Sequence, residues 1–265
     1  MIRVLIKGAG DIATGIAVRL HNAGFSVMMT DIEKPTTVRR TVAFSQAVYD
    51  KKVMVEGIEG VLTDSAKKLE QALRERKIPV IIDPRVQHMD WYQPEIVIDA
   101  ILAKKNLGTK LNDGKLVIGI GPGFVAGEDC HAVIESMRGH YLGRVIWQGE
   151  AIPNTATPGD IGGYSIERLI RATAEGIFKP KAEIGDVVEK GDIVAYCGKA
   201  PVYANMSGMV RGMLQQGLQV RPGMKCGDID PRIDCKLAET VSDKARAIGG
   251  GVLEAIFSGF LMKNM

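Results

Sequence analysis

What the chain lacks narrows its class first. No run approaches the roughly twenty consecutive apolar residues that cross a bilayer, so no membrane span is expected. The first residues pass straight into a strand-like segment, with no charged-then-apolar leader, and secretion is not expected. The four cysteines include no Cys-x-x-Cys pair. Thiols so widely spaced fit a reduced, cytoplasmic protein better than a disulfide framework. There is no long basic run and the net charge is only +3, so nucleic acid is not suggested as a partner. No ligand pairs stand at a familiar zinc spacing, and no metal is expected. What is there is a chain of 265 residues with ordinary apolar content, enough for one large domain or two modest ones.

The densest signal lies at the start. Arg3 to Lys7 reads as a buried strand, Gly8-Ala9-Gly10-Asp11-Ile12-Ala13 follows, and a helix-like run continues to Gly24. Ser26 to Thr30 reads as a second strand ending at Asp31. A dinucleotide-binding unit needs that order. Gly8 turns the chain off the strand, Gly10 leaves room for a pyrophosphate, and Ala13 lets helix and strand pack closely. The helix start offers N–H groups and a positive dipole end to an anion. Asp31, about twenty residues on, is placed to accept from a ribose hydroxyl. Asp11 cuts both ways: it complements the helix dipole, yet a carboxylate repels a pyrophosphate. The same order also occurs in α/β domains that bind nothing at this turn.

Val80 to Asp83 and Ile96 to Asp99 are short apolar runs ending in acids, as suits parallel strands buried on both faces. Asp64 to Lys77 reads as a helix with Asp64 as its cap. Pro35-Thr36-Thr37 reads as a helix start whose Arg39 and Arg40 lie on a solvated face. Asp31, Asp83, Arg85 and Asp99 all fall near strand carboxyl ends, where ligands sit in open α/β sheets. Residues 1–110 are therefore expected to form a Rossmann-like nucleotide-binding domain, and residues 111–265 a glycine-loop and β-rich domain.

A second glycine-rich turn follows Leu116 to Ile118. Gly119, Gly121, Gly123 and Gly127 surround Pro122, and Glu128, Asp129, Cys130 and His131 come next. Backbone amides at Gly121 and Gly123 make a second place for a cofactor. Cys130, His131 and Asp129 are candidate catalytic residues, a thiol beside a base. Against this, neighbours in extended chain point to opposite faces, which keeps Cys130 and His131 apart and favours a structural turn. Pro153 to Gly163 reads as a further loop, leading into a helix from Ser165 to Ala172 that offers another anion site or an ordinary cap.

The C-terminal half holds an internal repeat. Gly185-x-x-Val188-x-x-Gly191 recurs as Gly217-x-x-Val220-x-x-Gly223. With the Ser207-Gly208 turn between them, these units are similar to the biotinyl/lipoyl hammerhead family, over about 181–232. That family carries a modifiable lysine on a hairpin. Lys199 stands near the corresponding hairpin, but in Gly198-Lys199-Ala200-Pro201 its neighbours do not fit. The connection from Glu175 to Pro180 is too short for a flexible arm. Lys244 to Lys263 reads as a closely packed C-terminal helix rich in small residues.

Taken whole, the sequence resembles the accessory proteins of selenium-dependent molybdenum hydroxylase systems. The resemblance rests on Gly8 to Gly15, on Asp99 to Thr109, on Gly121 to His131 and on Gly227 to Arg232. It implies a cytoplasmic maturation factor that serves a molybdenum hydroxylase client alongside maturation proteins and binds a nucleotide-bearing or molybdopterin-type cofactor. The N-terminal turn points to NAD or another dinucleotide, and the sequence leaves the oligomeric state open, a homo-oligomer included. Two alternatives stand beside it: an NAD-linked oxidoreductase built on the first domain, and a lipoyl-like carrier or docking protein built on the second.

Overall fold

Val4, Leu5 and Ile6 are wholly buried in the first strand, β1 (Arg3–Lys7). The structure is a computed structural model that describes residues 1–155 and 159–262. Contacts divide the chain into two units, one of Met1–Pro35, Ala43–Thr155 and Val241–Met265, the other of Thr36–Val42 and Ala156–Thr240. The division expected after residue 110 thus falls inside the first unit.

In the first unit, α1 (Asp11–Asn22) and β2 (Ser26–Asp31) follow β1. Next come α2 (Ala47–Asp50), β3 (Lys52–Val55), β4 (Ile58–Leu62), α3 (Ala66–Arg74), β5 (Ile78–Ile82), α4 (Met89–Tyr92) and β6 (Ile96–Asp99). The remaining strands are β7 (Leu116–Ile120), β8 (Val125–Ala126), β9 (Ala132–Ile134), β10 (Val145–Ile146) and β11 (Gly149–Glu150). Nine strands form one sheet in the order β10-β9-β7-β6-β1-β2-β5-β4-β3. Pairing is parallel from β4 through β9, and only the outer pairs β3–β4 and β9–β10 are antiparallel. Leu5, Met28, Ile81, Val97, Val117 and Cys130 belong to one buried cluster.

The second unit is β-rich. Its strands are β12 (Leu169–Arg171), β13 (Gly176–Pro180), β14 (Val187–Val188), β15 (Ile193–Cys197), β16 (Ala200–Tyr203), β17 (Gly208–Met213), β18 (Gln219–Val220) and β19 (Lys225–Asp230), followed by α5 (Lys236–Glu239). They make two four-stranded sheets, β12-β19-β17-β14 and β16-β15-β13-β18. The sequence repeat is visible here. Val188 and Val220 occupy the equivalent short strands β14 and β18, one in each sheet. Phe178, Val194, Val210 and Ile229 contribute to a single buried cluster from both sheets.

The chain then returns to the first unit through α6 (Asp243–Ile256). Its small residues permit close approach. A Cβ on Gly251 would collide with the carbonyl oxygen of Gly143. The helix continues as a π turn over Phe257–Leu261. Lys263, the expected helix end, lies outside the described residues, as do Ala156, Thr157 and Pro158 of the Pro153–Gly163 loop.

Several local expectations are corrected. The cap of α3 is Ser65, whose hydroxyl accepts from the Lys68 amide, while Asp64 pairs with the Lys68 ammonium at 2.9 Å. Arg39 and Arg40 do not sit on a solvated helix face. Arg39 is buried and donates to the carbonyls of Leu237 and Thr240, and Arg40 donates to the Met213 carbonyl. Ser165–Ala172 is a short 3-10 turn followed by β12, because Leu169 and Ile170 pair with Asp228 and Gly227 of β19. Glu175–Pro180 is no connection between domains, since Gly176–Pro180 is β13 inside the second unit.

Candidate functional site

The strand order places β1 between β2 and β6, so the chain winds outward in two directions from this point. In open parallel sheets a crevice forms there, beyond the strand carboxyl ends. At this edge the structure brings together Gly8, Gly10, Asp11, Ala13 and Asp31 of the expected site.

Gly8 has φ +92°, and a Cβ there would lie 3.0 Å from the Ala100 carbonyl oxygen, so glycine lets the loop after β6 close over the turn. The Gly8 amide donates to the Thr30 carbonyl at 2.9 Å. The Ala9 carbonyl accepts from the Ser45 amide at 2.8 Å and from the Thr14 hydroxyl at 3.2 Å. Gly10 is the N-cap of α1, in extended conformation, and it supplies no capping side chain. The positive end of the helix thus lies at the carboxyl edge of the sheet, where β1 ends. Asp11 lies in that turn and Ala13 is buried behind it.

Asp31 is more engaged than the sequence suggests. One carboxylate oxygen accepts from the Ala9 amide at 3.1 Å and the other from the Ile32 amide at 2.8 Å. Burial pushes its carboxyl above the ordinary value of 3.8, against the pull of the Ile32 and Ala9 amides. Asp31 thus fixes the glycine turn from the end of β2.

At the next edge position stands Asp83, expected there from the sequence, with a partner, His88, that sequence reasoning missed. The Asp83 amide donates to the Asp31 carbonyl at 3.0 Å. The buried Asp83 carboxylate accepts from the amides of Gln87 and His88 and lies 2.9 Å from His88 Nδ1. Burial acts to raise its pKa, but these two amides and the imidazole outweigh it and hold the carboxyl below the ordinary range. The His88 ring lies 4.1 Å from the Trp91 ring, centre to centre. On the other side of β1, Lys7 Nζ donates to Asp113 at 2.8 Å and to the Thr109 hydroxyl at 3.0 Å, and Thr109 donates to Asp99 at 2.6 Å. This buried chain fastens the 100–113 loop over the strand ends.

The second glycine loop is covered. A Cβ on Gly121 would strike the Ser136 hydroxyl, and one on Gly123 would meet Lys105 backbone at 2.6 Å. Each of the three candidate catalytic residues beside it has backbone partners of its own. The Cys130 thiol is wholly buried, donates to the Ala132 carbonyl at 3.2 Å, and is pushed up to about 11 by burial. His131 Nδ1 accepts from the Val117 amide at 3.0 Å. Asp129 accepts from the Val125 amide and the Asn106 side chain. Among the described residues, no group of three or more His, Cys, Asp or Glu is placed to hold a metal ion. No described helix is long and apolar enough to cross a membrane.

No family model matches the chain. It is 51% identical over 253 residues to the uncharacterized protein YqeB of Escherichia coli, a match covering 96% of this chain and 47% of that protein. It is 30% identical over 131 residues to the UDP-N-acetylmuramate–L-alanine ligase of Delftia acidovorans, covering 46% of this chain and 27% of that enzyme. The chain thus spans about half or less of the curated relatives it matches. Among solved structures, the chain has a weak likeness to an aspartoacylase family protein from Mesorhizobium loti (9% identity, 86% of this chain and 84% of that one, TM-score 0.26). Another is a succinylglutamate desuccinylase/aspartoacylase from Rhodobacter sphaeroides (14% identity, 86% and 85%, TM-score 0.28). At these scores the structural likeness carries no argument about fold or activity.

These findings correct the family expectation. The curated relatives are described as an uncharacterized protein and a UDP-N-acetylmuramate–L-alanine ligase, neither as an accessory of a selenium or molybdenum hydroxylase system. The maturation-factor role falls with that family. The NAD-linked oxidoreductase and the lipoyl-like carrier find no support there either, since neither relative is described as a dehydrogenase or a carrier.

Proposed function

We propose that the first unit binds the diphosphate of a nucleotide over the turn from Gly8 to Ala13. The observation that carries this reading is the start of α1 at Gly10, with no side-chain cap, where the sheet order turns at β1. Backbone N–H groups and the helix dipole at such a point favour a phosphate. The strand order around β1 supports a Rossmann-type reading of this unit. Asp31 holds the turn in place through Ala9, and the exposed side chains of Ile32 and Ile82 give a base an apolar surface at the same edge. The relative from Delftia acidovorans, whose name includes a uridine diphosphate, accords with a diphosphate ligand. The second unit, with its paired sheets and Lys199 in the tight turn between β15 and β16, accords with a hammerhead-like sandwich.

Thermal unfolding with UDP, ADP and NAD, each added separately, tests the reading. A ligand that binds only the folded state raises apparent stability, by about 2.7 kcal/mol at a hundredfold excess over Kd. At least one of the three should raise Tm in the native chain and fail to do so in Gly10→Val. Unchanged Tm with all three at millimolar concentration would remove the proposal.

A further inference from the structure

Asp83, His88 and Trp91 are not used by diphosphate binding, yet they are built as a unit at the same edge. The segment between them takes an unusual turn. Val86 has φ +54°, a left-handed conformation that a β-branched residue adopts only under strain. Such strain is retained where the surrounding structure demands a fixed geometry, and it clusters at functional sites. Here the strained turn delivers the His88 ring back onto Asp83. The carboxylate, 4% exposed, receives both the His88 amide and His88 Nδ1 on the same oxygen, Oδ2. With Nδ1–H held in this way, the neutral ring carries its lone pair on Nε2. Nε2 makes no hydrogen bond among the described residues, and the side chain is 36% exposed.

Hydrogen bonds tie this pair to the proposed nucleotide turn. The Ala9 amide binds the Asp31 carboxylate, the Asp31 carbonyl binds the Asp83 amide, and the Asp83 carboxylate binds His88. We propose that Asp83 and His88 form a proton-transfer dyad that acts on a hydroxyl of the substrate whose nucleotide part occupies the Gly8–Ala13 turn. His88 is the catalytic residue. Its Nε2 lone pair forms a new N–H bond as the substrate O–H bond breaks, and the bonding pair stays on the oxygen. Asp83 is a positioning residue, fixing the tautomer and facing the imidazolium that results. This inference rests on the nucleotide-binding reading for its substrate, while the geometry of the dyad stands independently.

Nitrogen-15 NMR of the histidine rings, with and without UDP, ADP or NAD, tests it on the full chain. His88 should show a single neutral tautomer protonated at Nδ1, and Asp83→Asn should lose that preference while remaining folded. Whichever nucleotide shifts the Gly8–Ala13 amides should also shift His88 Nε2, and His21 should stay unmoved. A second readout is carbethoxylation by diethyl pyrocarbonate: His88 should react faster than His21, and bound nucleotide should slow it several-fold. If the Gly8–Ala13 amides shift and His88 does neither, the dyad is only a turn cap and the inference fails while nucleotide binding survives. If no amide shifts with UDP, ADP or NAD, both readings fail.

Discussion

The amide of Ala9 donates to the carboxylate of Asp31 at 3.1 Å, across the carboxyl ends of β1 and β2. This bond couples the glycine turn to the sheet. Asp31→Ala removes the acceptor for two amides, those of Ala9 and Ile32. The expected result is a stability loss of about 1–3 kcal/mol, with nucleotide affinity reduced alongside it. Chemical denaturation and a nucleotide titration of the same variant check both parts.

The two neighbouring carboxyls should titrate in opposite directions. Asp31 is raised from 3.8 by burial, and Asp83 is lowered because its amide and imidazole partners outweigh burial. A raised carboxyl gives stability that is present below 3.8 and lost as pH rises through its folded value. A depressed one gives stability that is present above 3.8 and lost as pH falls through its folded value. Carbon-13 titration of the side-chain carboxyls should find Asp31 above and Asp83 below the ordinary range. Asp83→Asn should cost stability at neutral pH and progressively less in acid.

Cys235 should be the first thiol to react with an alkylating reagent at neutral pH. It is exposed, whereas Cys130, Cys197 and Cys226 are buried, and burial pushes Cys130 and Cys226 up to about 11. Thiolate is the reactive form, so the buried pair is protected twice. Both groups stay protonated in the folded chain above their ordinary value of 9.0, so their contribution to stability should fall away between pH 9.0 and about 11. Mass-resolved labelling with time, and Tm across that alkaline range, check the two statements.

Gly15→Val should be among the most damaging single changes outside the site. A Cβ at Gly15 would lie 2.5 Å from the Ala245 Cβ and 3.0 Å from a Val241 methyl, so α1 and α6 would have to separate. Overpacking of this kind costs about 1–3 kcal/mol. Ser242→Ala, which removes the hydroxyl that accepts from the Ala245 amide at the start of α6, should cost about 1 kcal/mol. Denaturation midpoints of the two variants give the order.

The parts of the fold written in contiguous residues were legible in advance. Ile96–Asp99 is a strand with the predicted bounds because four buried positions in a row leave little else for it to be. The turn at Gly8–Gly10 was legible for the same local reason. Features set by distant partners were not. Leu169 and Ile170 fit a helical stripe, and only pairing with β19 makes them a strand. Arg39 and Arg40 look solvated until the carbonyls of Leu237, Thr240 and Met213 are brought to them. The Asp83–His88 pair depends on Val86 entering a left-handed turn, which no residue preference in that segment announces. Asp83 at a strand end and a histidine five residues later were its only trace.

Isothermal titration of the chain and of Gly10→Val with the same nucleotide tests the central claim most directly. Gly10 has φ −67° and ψ −177°, a conformation open to any residue, so the backbone itself tolerates the change. The added side chain stands at the mouth of α1, where the diphosphate is proposed to lie. The account predicts measurable saturable heat with UDP, ADP or NAD for the native chain, and its loss in a Gly10→Val variant whose far-ultraviolet spectrum is unchanged. Equal affinity in the two proteins would contradict it, because the ligand would then bind somewhere other than the Gly8–Ala13 turn.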